Sequence, residues 1–269
     1  MMDTSSAARS TRQELMVIEA ARRLRDGDVV FVGTGLPFLA TTLAQRTHAP
    51  NLAMIIESGV IAPLVRRTPI SVSDPKVMHR AVKLGTLREV LGTLLQRGLI
   101  DVGMIGGAQI DRFANINSTW IGRPGETRRR LPGSGGGNDM ASHCRRLLII
   151  TPHERRRFPE RCDYITSPGF LDGVGGRERA GLNPQFEVAV VTDLGIMEGD
   201  PATCALRITG LMPQVSVEEM FSQTGFRPEV ASAVWVVAPP RPDDLRLLRE
   251  ELDPEGVYLK TESAGAVSG

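Results

Sequence analysis

The sequence has few aromatic residues, few cysteines and almost no net charge, and each shortage argues against a class of protein. Aromatics are 4% of the 269 residues, so we expect no base-stacking platform for nucleic acid. Lys and Arg number 32 against 31 Asp and Glu, a formal net charge of +1 that gives no support for a nucleic-acid partner. Cys144, Cys162 and Cys204 are odd in number and lack a Cys-x-x-Cys pair, which argues against a disulfide framework or a zinc site.

The sequence also leads us to expect no metal site, no signal peptide and no membrane span. The four histidines have no metal-ligand spacing, so we predict no metal site. The N-terminus has no basic start followed by an apolar stretch. Apolar runs stay shorter than the roughly 18 residues that a bilayer span requires. We therefore expect a cytoplasmic protein that does not enter a membrane.

Short apolar runs alternate with helical patterns along the chain. Strands are predicted at residues 29–32, 52–56, 102–105, 147–150, 188–191 and 234–237. Helices are predicted from Thr11 to Gly27 and at residues 38–46, about 84–97, 216–223 and 243–252, with irregular chain at 60–79, 106–138 and 166–182. This alternation indicates parallel pairing through right-handed crossovers. We predict an α/β fold with an open, mostly parallel sheet flanked by helices, in one domain over residues 11–269 after a loose tail at 1–10.

Glu57 directly follows the apolar strand at residues 52–56. A carboxylate in that place stands at the carboxyl end of a parallel strand, where open α/β sheets bind ligands. Ser58 and Gly59 permit a tight turn that would expose it. The same position also suits an ordinary solvated residue, so position alone leaves both interpretations open.

The segment 133–138, GSGGGN, is the second candidate feature. Consecutive glycines before a helix let backbone N–H groups converge on a phosphate, a carboxylate or the oxyanion of a tetrahedral intermediate. A flexible connector has the same composition. We take Gly135, Gly136, Gly137 and Asn138 as candidate site residues.

Four weaker candidates follow predicted strands. Gly33 and Gly35 form half of a dinucleotide-binding fingerprint, but the third glycine is missing, so a nicotinamide site is not favoured. Gln109 and Asn117 carry amides that can orient a polar substrate, although such residues are also ordinary turn formers.

Two arginine runs, at 128–130 and 155–157, suit either anion binding by bidentate pairing or a solvated face.

Several separated segments together resemble the B subunits of class I CoA-transferases of the glutaconate CoA-transferase type. The resemblance extends from about Thr11 to Gly256 and is carried by VGTGLP at 32–37, IESG at 56–59, NINST at 115–119, GSGGGN at 133–138, TSPG at 166–169 and GGRER at 175–179. Ala114 stands where the family pattern has glycine, and Gly137 where it has alanine. Residues 60–79 match the pattern poorly.

The resemblance implies the fold of CoA-transferases and some sugar-phosphate isomerases, an A subunit encoded separately, and an active site at the interface of a hetero-oligomer. Glu57 falls on the family's catalytic glutamate, and residues 133–138 fall on its oxyanion and CoA-proximal loop. The implied oxyanion donors are the N–H groups of Gly136 and Gly137. The implied reaction moves CoA between an acyl-CoA and a carboxylic, possibly dicarboxylic, acid through a glutamyl anhydride and an enzyme-CoA thioester. Coenzyme A thioester is then a substrate, with no tightly bound cofactor.

Two alternatives remain beside transfer. A CoA-thioester hydrolase or ring-opening enzyme would use the same two-subunit scaffold, but the resemblance implies that such relatives lack the glutamate, so Glu57 favours transfer. A non-catalytic sensor of acyl-CoA or sugar phosphate would not need the carboxylate. The donor and acceptor acids stay unassigned.

Overall fold

A ten-stranded sheet organises the chain in the computed structural model, which describes residues 10–122, 125 and 127–259. In chain order the strands are β1 (Val29–Val32), β2 (Ala53–Ile55), β3 (Val60–Ile61), β4 (Lys83–Leu84), β5 (Val102–Ile105), β6 (Gln109–Ile110), β7 (Ile116–Asn117), β8 (Trp120–Ile121), β9 (Arg129–Arg130), β10 (Arg146–Ile150), β11 (Glu187–Val191), β12 (Gly195–Gly199), β13 (Leu206–Leu211) and β14 (Glu229–Val236). Strands β6–β7 and β8–β9 form two small separate hairpins, whereas the others build the main sheet.

The centre of the main sheet is parallel, as the alternating pattern predicts. The strand order is β14-β13-β12-β11-β10-β5-β1-β2-β3-β4. Val30 of β1 pairs in parallel with Met54 of β2 and with Val102 of β5, and β10 continues the parallel run to β11. These strands are nearly continuous apolar runs because both faces of the central sheet are covered. The predicted α/β class is confirmed.

Seven helices flank these strands in the described part of the chain. They are α1 (Arg12–Arg22), α2 (Leu36–Arg46), α3 (Leu87–Glu89), α4 (Gly137–His143), α5 (Gly176–Arg179), α6 (Val217–Ser222) and α7 (Pro242–Arg246). Helix α3 continues as a π-helical segment, Val90–Leu95, and α7 as another, Leu247–Leu252. Helix α1 starts with a capping box in which Thr11 and Glu14 bond each other's backbone N–H. No helix in residues 10–122, 125 and 127–259 is long and apolar enough to cross a membrane.

Several predicted boundaries were wrong. The helix predicted near 84–97 begins only at Leu87, because Lys83 and Leu84 pair as a strand at the sheet edge. The predicted strand at 234–237 is the end of the longer β14. Antiparallel strands β12 and β13 were not predicted at all. Of the predicted tail, residues 1–9 lie outside the described residues, and the one-domain division stays a prediction.

The irregular region predicted at 106–138 contains the two small hairpins. Between β6 and β7 the chain turns through Ala114, which has φ +59° and is fully buried. A left-handed backbone at this position explains why the family pattern has glycine there. Gly169 passes so close that a Cβ on it would lie 2.5 Å from the Ala114 carbonyl oxygen. The segment 166–169 is thereby packed directly on this hairpin.

Candidate active site

Glu57 occupies the tip of a tight turn at the carboxyl end of β2. The Ile56 N–H donates to the Val60 carbonyl and the Gly59 N–H donates to the Ile56 carbonyl, both at 2.9 Å. Gly59 has φ +100°, and a Cβ on it would lie 2.5 Å from the Gly85 carbonyl oxygen. Only glycine fits there, because both the backbone angle and the space exclude a side chain. The turn leaves Glu57 half-buried at the ligand-binding edge of the sheet.

The glycine-rich loop lies directly against the Glu57 carboxylate. A Cβ on Gly135 would be 3.3 Å from Glu57 Oε2, and one on Gly136 would be 3.6 Å from the same atom. Leu91, from the π-helical segment after α3, closes the other side of Gly136, with Cδ2 3.4 Å from its Cβ position. The structure therefore brings together the two strongest candidates of the sequence, although they are far apart along the chain.

The backbone N–H groups of the loop differ in whether they have a hydrogen-bond acceptor. The Gly137 N–H donates to the Ser134 carbonyl at 2.9 Å, so this group is already engaged, and its role as an oxyanion donor stays a prediction. Among the described residues, no acceptor takes the N–H of Gly135 or Gly136. These two groups therefore have no hydrogen-bond acceptor within that part of the chain. Asn138 uses its side-chain Nδ2 to donate to the Thr166 carbonyl at 2.8 Å.

The start of the glycine loop is fastened to the segment after β7. The Gly133 N–H donates to the Ser118 carbonyl at 2.8 Å, and Ser118 Oγ donates to the Gly133 carbonyl at 2.9 Å. The Ser118 N–H in turn donates to Thr166 Oγ1 at 2.9 Å. These bonds fix the start of the loop and the Asn138 bond to Thr166 fixes its end, which contradicts the flexible-connector interpretation.

Gln109 and Asn117 are buried and bonded to each other. Asn117 Nδ2 donates to Gln109 Oε1 at 2.7 Å, and Gln109 Nε2 donates to Asp163 Oδ2 at 2.9 Å. The Asp163 N–H returns a bond to Gln109 Oε1 at 3.0 Å. Both amides therefore stabilise the β6–β7 hairpin, and contact of either with a substrate stays a prediction.

Gly33 and Gly35 lie in the connection from β1 to α2. The Gly33 N–H donates to the carbonyl of Met104, in β5, at 2.8 Å. Gly35 precedes α2 with φ +84°, and its Cβ position would be 3.8 Å from the Tyr258 ring. Since β1 is parallel to β2, this turn is at the same sheet edge as Glu57. A role in binding substrate stays a prediction for both glycines.

The two arginine runs have different surroundings. In the first, Arg130 stacks on Trp120 with 4.7 Å from the guanidinium carbon to the ring centroid, and its Nη2 is 3.7 Å from the Cβ position of Gly133. In the second, Arg155 donates to the Ser222 and Thr224 carbonyls at 3.1 Å. The first run thus borders the glycine loop, whereas the second fastens surface segments together.

Thiol nucleophiles are not favoured elsewhere in the described chain. Burial raises the pKa of Cys144 to about 12 and also raises the pKa of Cys162, so neither thiol ionises at neutral pH.

His153 is buried between the hydroxyls of Thr192 and Thr224, 3.0 Å from each. Desolvation lowers its pKa to about 4.

Sequence patterns alone did not single out Leu91 or Arg177 as parts of this region. Leu91 belongs to a helix whose start was misplaced, and no local signal indicates that it faces the glycine loop. Arg177 was noted only within the GGRER segment, yet it is a buried charge behind the loop. A group of His, Cys, Asp and Glu able to hold a metal was not found in the described part of the chain.

Comparison with known proteins places this chain in a family. The family model for coenzyme A transferase matches residues 14–223. The B subunit of glutaconate CoA-transferase from Acidaminococcus fermentans is 38% identical over 93% of this chain and 95% of its own length. The B subunit of 3-oxoadipate CoA-transferase from Pseudomonas knackmussii is 39% identical over 88% and 91%. The crystal structure of glutaconate CoA-transferase from A. fermentans superposes with a TM-score of 0.87 at 35% identity, covering 94% of this chain and 98% of that one.

Proposed function

Because the chain belongs to the coenzyme A transferase family, we propose that it is the Glu57-bearing subunit of an enzyme that moves CoA between an acyl-CoA and a carboxylic acid. The observation that carries the proposal is the packing of the Glu57 carboxylate against Gly135 and Gly136, whose N–H groups have no acceptor among the described residues. A nucleophile and oxyanion donors in contact are the parts that acyl transfer requires.

The proposed reaction uses Glu57 twice. A Glu57 carboxylate oxygen attacks the thioester carbon of the donor. The C–S bond breaks, CoA departs as a thiolate, and an acyl-glutamyl anhydride is formed. The thiolate then attacks the glutamyl carbonyl carbon, so that an enzyme-CoA thioester forms and the donor acid departs as a carboxylate. An acceptor carboxylate reverses these steps and leaves as a new acyl-CoA. Each tetrahedral intermediate carries an oxyanion, which the N–H groups of Gly135 and Gly136 stabilise.

A second, different subunit is part of the proposal. Both relatives are named as the B subunits of their enzymes, and Glu57 is only half-buried in this chain alone. A glutamyl anhydride hydrolyses unless water is kept away. An A subunit covering this edge of the sheet would exclude water and complete the binding site for CoA and acid. The relatives' names contain two dicarboxylic acids, which supports a carboxylic, possibly dicarboxylic, acceptor.

A trapping experiment on the assembled enzyme tests the proposal. The chain and its A subunit, purified together, are incubated with acyl-CoA and then with hydroxylamine or borohydride. Mass spectrometry should find a hydroxamate or an alcohol on the Glu57 peptide. Glu57→Ala should abolish acyl exchange between acyl-CoA and free acid. Glu57→Asp should lose about a hundredfold, because it withdraws the reacting oxygen by roughly 1 Å.

The matched control is Glu160→Gln, which removes an exposed carboxylate paired with Arg112 and should leave exchange unchanged. Exchange at the wild-type rate by an assembled Glu57→Ala enzyme would refute the proposal. Loss of thioester without exchange in the wild type would instead favour the hydrolase alternative.

A further inference from the structure

We infer that Arg177 is a positioning residue for the Glu57 site, acting through helix α4. This inference rests on the proposed transfer reaction. The N-terminal end of α4 follows directly on Gly135 and Gly136, so the placement of this helix sets the distance from their N–H groups to the Glu57 carboxylate.

Arg177 is a buried guanidinium surrounded by carbonyl oxygens. Its exposed fraction is 2%. Its Nε donates to the Asn183 carbonyl at 2.8 Å, its Nη1 to the Gly169 carbonyl at 2.8 Å, and its Nη2 to the carbonyls of Ala141 and Ser142 at 3.3 Å. In the described part of the chain no carboxylate is within ion-pair distance of it. Desolvation lowers its pKa to about 10.

Burying a guanidinium costs free energy, and the groups that offset this cost show what the side chain holds in place. A buried charge without an ionic partner is unfavourable unless every donor is bonded. Two of the acceptors, Ala141 and Ser142, belong to the last turn of α4, where carbonyls have no partner within the helix. The Phe186 ring covers the guanidinium carbon at 3.9 Å from its centroid, in a cation–π contact. The side chain therefore binds the C-terminal end of α4 to its surroundings.

Both ends of α4 are fastened to the same short segment. At the N-terminal end, Asn138 Nδ2 donates to the Thr166 carbonyl. At the C-terminal end, Arg177 bridges the helix to the Gly169 carbonyl. The segment 166–169 is itself fixed, because Ser167 and Ile116 exchange backbone bonds at 2.9 and 3.0 Å. Helix α4 cannot slide toward or away from Glu57 without breaking one of these attachments.

Lysine cannot reproduce this attachment. Arg177 reaches these four main-chain carbonyls with the planar fork of its guanidinium, whereas a lysine ammonium is a single point on a flexible stem. Arg177→Lys keeps the charge and most of the volume, yet it releases the C-terminal end of α4. A displacement of the loop by about 1 Å is enough to cost roughly a hundredfold in rate.

The test compares Arg177→Lys with Arg146→Lys in the enzyme assembled with its A subunit. Arg146 is the matched control because it also donates to a main-chain carbonyl, that of Arg23 at 2.8 Å, and pairs with Asp28. It lies at the amino end of β10, the opposite edge of the sheet from Glu57. Steady-state kcat and KM are measured for acyl exchange, together with the fraction of thioester lost to water and the thermal midpoint.

Arg177→Lys should lower kcat at least tenfold, leave KM within threefold, and raise the hydrolysed fraction, since the anhydride is less well held. Arg146→Lys should keep kcat and the hydrolysed fraction near wild type while lowering the thermal midpoint comparably. A kcat loss in Arg177→Lys no greater than in Arg146→Lys would overturn the inference. A wild-type enzyme without exchange would refute the proposed function itself, which is a separate result.

Where Arg177→Lys does not accumulate as folded protein, Phe186→Leu tests the same guanidinium from its ring side. This variant keeps a core side chain and removes the cation–π contact. A kcat loss larger than that of Arg146→Lys, with KM unchanged, supports the positioning role. A kcat equal to the control overturns it.

Discussion

Substitution of Gly136 separates the chemistry of the glycine loop from its folding. Gly136 has φ −78° and ψ 5°, a backbone conformation that any L-residue adopts. A Cβ there would lie 3.4 Å from Leu91 Cδ2 and 3.6 Å from the Glu57 carboxyl carbon and Oε2. These are van der Waals distances, so Gly136→Ala should change the free energy of unfolding by less than about 1 kcal/mol. The new methyl group nevertheless stands against the carboxylate.

The effect on catalysis should be much larger than the effect on stability. A thioester carbonyl has to reach Glu57 within about 3–3.5 Å, and the methyl group occupies that approach. Loss or displacement of one oxyanion donor costs about 10²–10³ in kcat. We expect Gly136→Ala to lose at least tenfold in kcat. Gly136→Val should lose about a hundredfold or more in kcat, since two further methyl groups extend from a position already in contact. Overpacking should also lower its free energy of unfolding by about 1–3 kcal/mol.

The assay is acyl exchange by the assembled enzyme, with chemical denaturation measured on the same preparations. Gly92→Ala is the control, because Gly92 is exposed on the helix that carries Leu91 and, among the described residues, its Cβ position contacts only Arg88 Cγ, at 3.9 Å. That variant should keep wild-type kcat. Wild-type kcat and kcat/KM in both Gly136 variants would refute the role of the loop.

Two further predictions concern the turn and the buried histidine. Gly59→Ala should lower the free energy of unfolding by about 1–3 kcal/mol because of its φ of +100° alone, and overpacking against Gly85 should add to this loss. Denaturation should therefore show lower stability and the exchange assay a lower rate. A variant of unchanged stability would contradict the turn geometry. Burial lowers the pKa of His153 to about 4, below its ordinary value of about 6.5, so the unfolded chain binds the proton first as pH falls. The contribution of His153 to the free energy of unfolding is therefore fully present above about pH 6.5. It falls by about 3 kcal/mol as the pH drops toward 4. Chemical denaturation at several pH values should show that the free energy of unfolding changes less with pH in His153→Gln than in the wild type. The same pH dependence in both proteins would contradict the prediction.

The central strands were predictable because their burial on both faces makes them continuous apolar runs. Strands β12 and β13 were not, since their residues carry no such run. β12 is GIMEG, with glycine at both ends and Glu198 facing partly outward. It is a strand because β11 and β13 pair with it from either side, and strand preference of this kind depends on the neighbours rather than on the segment itself.

The site was predictable to the level of segments but not of atoms. Glu57 and the glycine loop each have a local signal, a strand end and a run of glycines. Which N–H is free depends on the turn that Gly137 makes with Ser134, and no residue type reveals that. The support from Arg177 depends on carbonyls contributed by α4 and by residues 169 and 183, a contact set that only the folded chain assembles.

The four glycines around the carboxylate have different reasons to be glycine. Gly59 has φ +100°, so the backbone requires glycine there, whereas Gly135 has φ +49°, a left-handed conformation that favours glycine but that Ala114 also adopts. Gly137 would place a Cβ 3.2 Å from Ser167 Oγ, a contact that a small shift relieves, which agrees with alanine at this position in the family pattern. Gly136 has neither a left-handed backbone nor a backbone clash. The fold does not need glycine there, so the missing side chain leaves space beside Glu57, which the proposed reaction uses for the thioester.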